Sequence, residues 1–111
     1  MGPPASFAAA PYAAAMGAPR TLYVYFDGVR HMVDKDRWVI GRGKRTSDLT
    51  VADPNVSRQH ALVEVVDGRH FMVDLGSTNG IELHGERVAR RAIEDGDVYV
   101  FCGHEIRFVF G

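Results

Sequence analysis

From residue 21 onward, apolar and polar residues alternate with a period of two, in short runs cut by Gly and Asp. That is the signature of half-buried β-strands joined by tight turns. In "TLYVYF", Leu22, Val24 and Phe26 share one face and Tyr23 and Tyr25 the other. Asp27-Gly28 follows as a hairpin turn, and "VRHMVD" pairs back. "RWVIG" predicts a third strand and "LTVA" a fourth. "HALVEVV" sets Ala61, Val63 and Val65 against Leu62, Glu64 and Val66, and ends at a second turn, Asp67-Gly68. "RHFMVDL" puts Phe71, Val73 and Leu75 on one face. "IEL" and "ERV" predict a short hairpin about His84-Gly85. "VYVFC" and "EIRFVF" predict the last one, across Gly103-His104, with Ile106, Phe108 and Phe110 facing inward. "GERVARRAIEDG" comes nearest to helical periodicity but is too short and too charged for a stable helix. About ten short strands at regular spacing predict an all-β sandwich or barrel.

Residues 1–20, "MGPPASFAAAPYAAAMGAPR", break this pattern. Ala, Pro and Gly dominate them, and Pro3, Pro4, Pro11 and Pro19 interrupt any helix beyond Ala13-Ala14-Ala15. They lack the basic start and the uninterrupted apolar run of a secretory leader. The expected organisation is a flexible Ala/Pro-rich tail or linker over 1–20 and one β-sandwich domain over 21–111. The tail's composition hints at a GC-rich bacterial source.

Composition narrows the function classes. At 111 residues the chain suffices for one domain with a modest core. A net charge of −1 argues against nucleic acid as the main ligand, since phosphate-backbone binders carry a strongly basic face. Cys102 is the one cysteine, so no internal disulfide can form, which fits a reducing compartment. No apolar run reaches membrane-span length. A cytoplasmic location without direct membrane binding is the expectation.

Three loops are richer in polar groups than turns require: "GRGKRTSD" at 41–48, "DPNVSRQ" at 53–59 and "GSTNG" at 76–80. Residues 42–58 carry Arg42, Lys44, Arg45 and Arg58 against Asp48 and Asp53. An otherwise acidic chain that gathers cations there suggests an anionic ligand. The residue types suit phosphate: Arg offers a planar fork of donors, Ser57 and Thr78 offer hydroxyls, and Asn79 offers an amide. Solvated surface charge is the plainer alternative.

Ser57 and His60 invite a nucleophile-and-base reading. It needs an orienting acid and an oxyanion hole, there is no Gly-x-Ser-x-Gly elbow, and three residues of separation across a loop-strand boundary do not by default place a hydroxyl on an imidazole. His31, His60, His70, His84, His104 and Cys102 show no paired ligand spacing, so neither a metal nor another cofactor is expected.

"WVIGR", "SDLTVADPNVSRQHALVEV", "FMVDLGSTNGIELHGERV" and "IEDGDVYVFCGHEIRF" occur in this order over residues 21–111. Together they resemble a forkhead-associated (FHA) domain, whose pattern runs Gly-Arg, Ser-Arg-x-His, Gly-Ser-Thr-Asn-Gly, then Gly-Asp. The resemblance implies a two-sheet, mainly antiparallel β-sandwich, of about ten or eleven short strands here, that binds phosphothreonine peptides through its end-loops. It makes Arg42 a phosphate-binding arginine and Ser57 a hydrogen-bonding partner of the phosphate. Arg58 supports them, and Thr78 and Asn79 form the third loop, with Asn79 on the peptide main chain. Gly41, His60 and Gly80 become structural supports. Lys44 and Arg45 add to the field. Ile81 stands where the family often has Thr, and His84 where it often has Asn.

The implied function is a phosphothreonine-dependent interaction module for signalling, not an enzyme. Its partner would be a protein phosphorylated by a Ser/Thr kinase, or the kinase itself. The same fold would also serve as a phospho-independent docking or oligomerisation module of a larger bacterial assembly.

Overall fold

The computed structural model describes residues 20–111. The tail expected over 1–20 lies outside the described residues except for Arg20. In chain order the strands are β1 (Leu22–Phe26), β2 (Val29–Met32), β3 (Arg37–Gly41), β4 (Leu49–Thr50), β5 (Ala61–Val66), β6 (Arg69–Asp74), β7 (Glu82–Leu83), β8 (Glu86–Arg87), β9 (Arg90–Ala92), β10 (Val98–Phe101) and β11 (His104–Phe110). They form a six-stranded sheet, β2-β1-β11-β10-β7-β8, and a five-stranded sheet, β4-β3-β5-β6-β9. All pairings are antiparallel except β3 with β4. The all-β, two-sheet expectation therefore holds.

Alternation decides what is buried. Leu22 and Val24 of β1, Ile106 and Phe108 of β11, and Tyr99 and Phe101 of β10 point inward from one sheet. Trp38, Ile40, Ala61, Val63 and Met72 meet them from the other. Each fully buried large side chain contributes about 1.5–3 kcal/mol. Tyr99 and Phe108 meet edge to face at 5.3 Å. The Tyr99 hydroxyl is kept satisfied by Asp97 Oδ2 at 3.2 Å, and burial first, then Asp97, pushes its pKa far up. Asp97 Oδ2 also accepts from the Glu94 N–H at 2.9 Å, so the Gly96-Asp97 pair fixes the entry to the last hairpin.

The four tight hairpins turn on Asp27-Gly28, Asp67-Gly68, His84-Gly85 and Cys102-Gly103, with positive φ at both positions of each pair. This is the type I′ geometry that suits twisted strands. The last turn sits one residue earlier than expected: Cys102 occupies the left-handed position and His104 already begins β11. On β6, Phe71 and Val73 do share a face, but it is the outer one; the core takes Met72, opposite Val63. Phe71 is roofed instead by Arg90 at 4.0 Å and Arg69 at 5.4 Å. The charged stretch without helical character contains β9, an edge strand beside β6. Ile81 is fully buried and extends the core.

Candidate functional site

The strand order brings the three polar loops to one end of the sandwich. β3, β5 and β6 are neighbours, so the loops leaving β3, entering β5 and leaving β6 are stitched together by hydrogen bonds. The first seam is main chain: Arg42 N–H donates to Ser57 O at 3.0 Å and Gly43 N–H to Arg58 O at 3.1 Å. A Cβ on Gly41 would lie 2.2 Å from Arg58 O, so only glycine permits this approach.

His60 is the second seam. Its ring is fully buried and packs against Phe101 at 5.2 Å. Ser57 N–H donates to Nδ1 at 3.0 Å, so Nε2 carries the proton and donates to Gly80 O at 2.8 Å. One imidazole thus joins the second loop to the third. Gly80 adopts φ +75, and a Cβ there would meet Arg87 Nε at 2.3 Å. The loop at 76–80 is shaped from within: Ser77 Oγ donates to Asp74 Oδ1 at 2.5 Å and accepts from Gly80 N–H at 2.9 Å.

The remaining polar side chains face outward. Ser57 Oγ accepts from Thr78 N–H at 3.2 Å, which leaves its own proton for a ligand. Arg42 spends Nε on Val56 O at 3.0 Å, and its two terminal nitrogens project free of hydrogen bonds among the described residues. Arg58 extends from the second loop, beside Ser57, its Cγ 2.7 Å from where a Cβ of Gly43 would stand. Asn79 Nδ2 donates to Asn55 O at 2.7 Å, leaving Oδ1 and one N–H. The structure therefore gathers Arg42, Ser57, Arg58, Thr78 and Asn79 around one rim, with Gly41, His60 and Gly80 beneath it.

The charge balance favours an anion. Asp48 is occupied structurally: Lys35 holds Oδ1 at 2.8 Å and Val39 N–H donates to Oδ2 at 2.8 Å. Asp53 receives Asn55 N–H at 2.8 Å and His104 Nε2 at 2.7 Å, and these two contacts, in that order, hold its carboxyl below its usual range. Arg42, Lys44, Arg45 and Arg58 enter no ion pair among the described residues. Four cations without carboxylate partners raise the local positive field.

Two residues escaped the sequence reading. Asn55 offers its carbonyl to Asn79, and Cys102 Sγ donates to the same carbonyl at 3.2 Å. Burial pushes the Cys102 thiol pKa up, suiting it to donate a proton. Neither role has a sequence signal, because it uses a backbone oxygen reached across 24 and 47 residues. Among the described residues no cluster of three His, Cys, Asp or Glu gathers as for a metal ion, and no helix is long and apolar enough to cross a membrane.

Comparison with known proteins converges on one family. The family profile described as FHA domain matches residues 38–102, more than half of the chain. The crystal structure of Mycobacterium tuberculosis Rv1747 FHA-1 superposes with a TM-score of 0.77 at 33% identity, over 85% of this chain and 99% of that one. Mycobacterium tuberculosis EmbR, solved in complex with a low-affinity phosphopeptide, superposes with a TM-score of 0.77 at 28% identity, over 82% of this chain and 24% of that one. A protein phosphatase 1 regulatory inhibitor subunit homologue from Arabidopsis thaliana is 35% identical over 77 residues, which are 68% of this chain and 20% of that protein. The chain thus spans a fifth of the length of this curated relative.

Proposed function

The chain belongs to the FHA domain family, a family of interaction modules, and from that premise we propose that it is a phosphothreonine-dependent protein–protein interaction module. It recognises partner proteins after a Ser/Thr kinase has modified them. The observation that carries this reading is that the Arg42 terminal nitrogens and the Ser57 hydroxyl proton are both left unspent among the described residues, on adjoining loops that His60 helps to fix.

The chemistry follows from what each group has left to give. A phosphothreonine brings about −1.5 to −2 charges and three strong acceptors. Arg42 meets two of its oxygens with its terminal nitrogens, a fork that lysine lacks. Ser57 donates its hydroxyl proton, and Arg58 closes the charge from the side. Thr78 sets the third loop against Ser57, and Asn79 uses Oδ1 and its spare N–H to hold the ligand backbone. Charge-assisted bonds contribute about 1.5–3 kcal/mol each, so the phosphate decides binding. Nothing turns over in this scheme: the Ser57 N–H, not its hydroxyl, faces His60, so the pair is not a nucleophile and its base. The mycobacterial relative bound to a phosphopeptide supports the ligand class. A cytoplasmic location, where Ser/Thr-kinase substrates of a bacterium are met, belongs to the same reading.

An oriented phosphothreonine-peptide library tests it: selective retention of phosphorylated members supports the reading, and equal retention of unphosphorylated ones refutes it. In the second case the docking alternative stands, and the exposed Tyr25 and Met32 on the outer face of the six-stranded sheet are where it would act.

A further inference from the structure

An open groove of about 630 Å³ lies beside the phosphopeptide rim, on the far side of the loop that carries Asn55. The end of β1 and the turn after it supply Phe26 and Asp27, the end of β4 and the stretch after it supply Thr50 and Ala52, and the start of β11 supplies His104 and Glu105. It is continuous with the rim: Asn79 and Cys102 both bond to Asn55 O, and Gly103 and His104 follow Cys102 directly. The Asn55 carbonyl and the β10–β11 turn therefore link Asn79 at the rim to the groove.

The lining has a definite chemistry. Phe26 and Ala52 give an apolar wall, and Phe26 packs its ring edgewise against His104 at 6.1 Å. Asp27 and Glu105 are exposed and enter no ion pair among the described residues. Asp53 stands behind His104, bonded to its Nε2 at 2.7 Å, and the depressed pKa of that carboxyl keeps it charged at neutral pH. No lysine or arginine lines the groove. An aliphatic stem with a cationic head fits such a lining. The stem lies on Phe26 and Ala52 while the head meets Asp27 and Glu105 and the face of the aromatic ring. We propose that this groove is a second subsite of the phosphopeptide surface, taking the side chain of a lysine or arginine that flanks the phosphothreonine in the partner protein. The surface is then polarised, cationic at Arg42, Lys44, Arg45 and Arg58 and anionic at Asp27, Asp53 and Glu105, and it reads a ligand of opposite polarity.

The proposal rests on the phosphopeptide reading, and one experiment separates the two. Phosphothreonine peptides on an alanine background carry lysine, glutamate or alanine at each flanking position in turn, and the phosphorylated and unphosphorylated all-alanine peptides are controls. Affinities are measured for the wild type and for an Asp27→Asn, Glu105→Gln double variant. Asn tolerates the left-handed turn position of Asp27, so the hairpin is kept. At one flanking position lysine binds about 2- to 10-fold more tightly than glutamate, the range for a pair of exposed charges, and the ratio collapses in the double variant. Phospho-selectivity with no position favouring lysine, or with a lysine preference unchanged in the double variant, overturns the groove proposal alone. Loss of phospho-selectivity itself overturns both.

Discussion

Ser57 and His60 are joined through the serine backbone, not its side chain: the Ser57 N–H donates to Nδ1 at 3.0 Å while the Ser57 hydroxyl turns toward Thr78. The imidazole then hands its own proton to Gly80 O at 2.8 Å. Two residues that look like a catalytic pair in the sequence are a bracket and the group it holds out.

Replacing His60 with Ala removes both hydrogen bonds, leaves a buried acceptor and a part-buried donor unpaired, and opens a cavity against Phe101. The expected loss is about 2–4 kcal/mol of folding stability. Urea unfolding measures it directly, and a loss below about 0.5 kcal/mol, the level of an ordinary surface change, would show that His60 does not brace the loops.

Gly41→Ala forces a Cβ to within 2.2 Å of Arg58 O, a backbone atom with no rotamer to escape into. The β3–β5 seam must open, costing about 1–3 kcal/mol. Backbone amide shifts should change at Arg42, Gly43 and Arg58 together, which an NMR comparison detects. Unchanged shifts at Arg58 would contradict the close approach.

Ser57→Ala keeps the backbone bond to His60 and loses the hydroxyl offered to the ligand. Folding stability should move little, since the side chain is only partly buried. Phosphopeptide affinity should fall about 10- to 150-fold, as for one charge-assisted bond. Calorimetric titration checks the affinity and thermal unfolding the stability; unchanged affinity would remove Ser57 from the site.

The carboxyl of Asp53 titrates below its ordinary 3.8 because Asn55 N–H and His104 hold the charged form. A depressed folded-state value stabilises the fold above pH 4 or so, and that contribution fades as acid protonates the folded carboxylate. Asp53→Asn should therefore shrink the stability difference between pH 6 and pH 3. Parallel stability–pH curves for the two proteins would show that the contact carries no linkage.

Much of this fold is legible as alternation, because strand faces sort by burial. β9 is not, since it is two adjacent arginines, Arg90 and Arg91, followed by a single small apolar residue, and the edge strand lays them along the protein's surface. The last turn lies one residue before the position its Gly-His pair suggests, because Cys102 gives no turn signal yet takes φ +50 beside Gly103. For the site, the motif residues Arg42, Ser57, His60 and Asn79 stand out in the sequence. Their meeting does not, because it depends on β3, β5 and β6 being neighbours. Asn55 and Cys102 stay invisible for the same reason: their contributions are a carbonyl and a thiol brought together only by the fold.

The most direct test is a paired titration of one phosphothreonine peptide and its unphosphorylated twin against the wild type and Arg42→Ala. The wild type should bind only the phosphorylated peptide with measurable affinity. Arg42→Ala should stay folded, because the side chain is exposed, and lose at least about tenfold in affinity for it. Equal binding of the two peptides by the wild type, or an Arg42→Ala variant that binds the phosphopeptide as tightly as the wild type, would contradict the account.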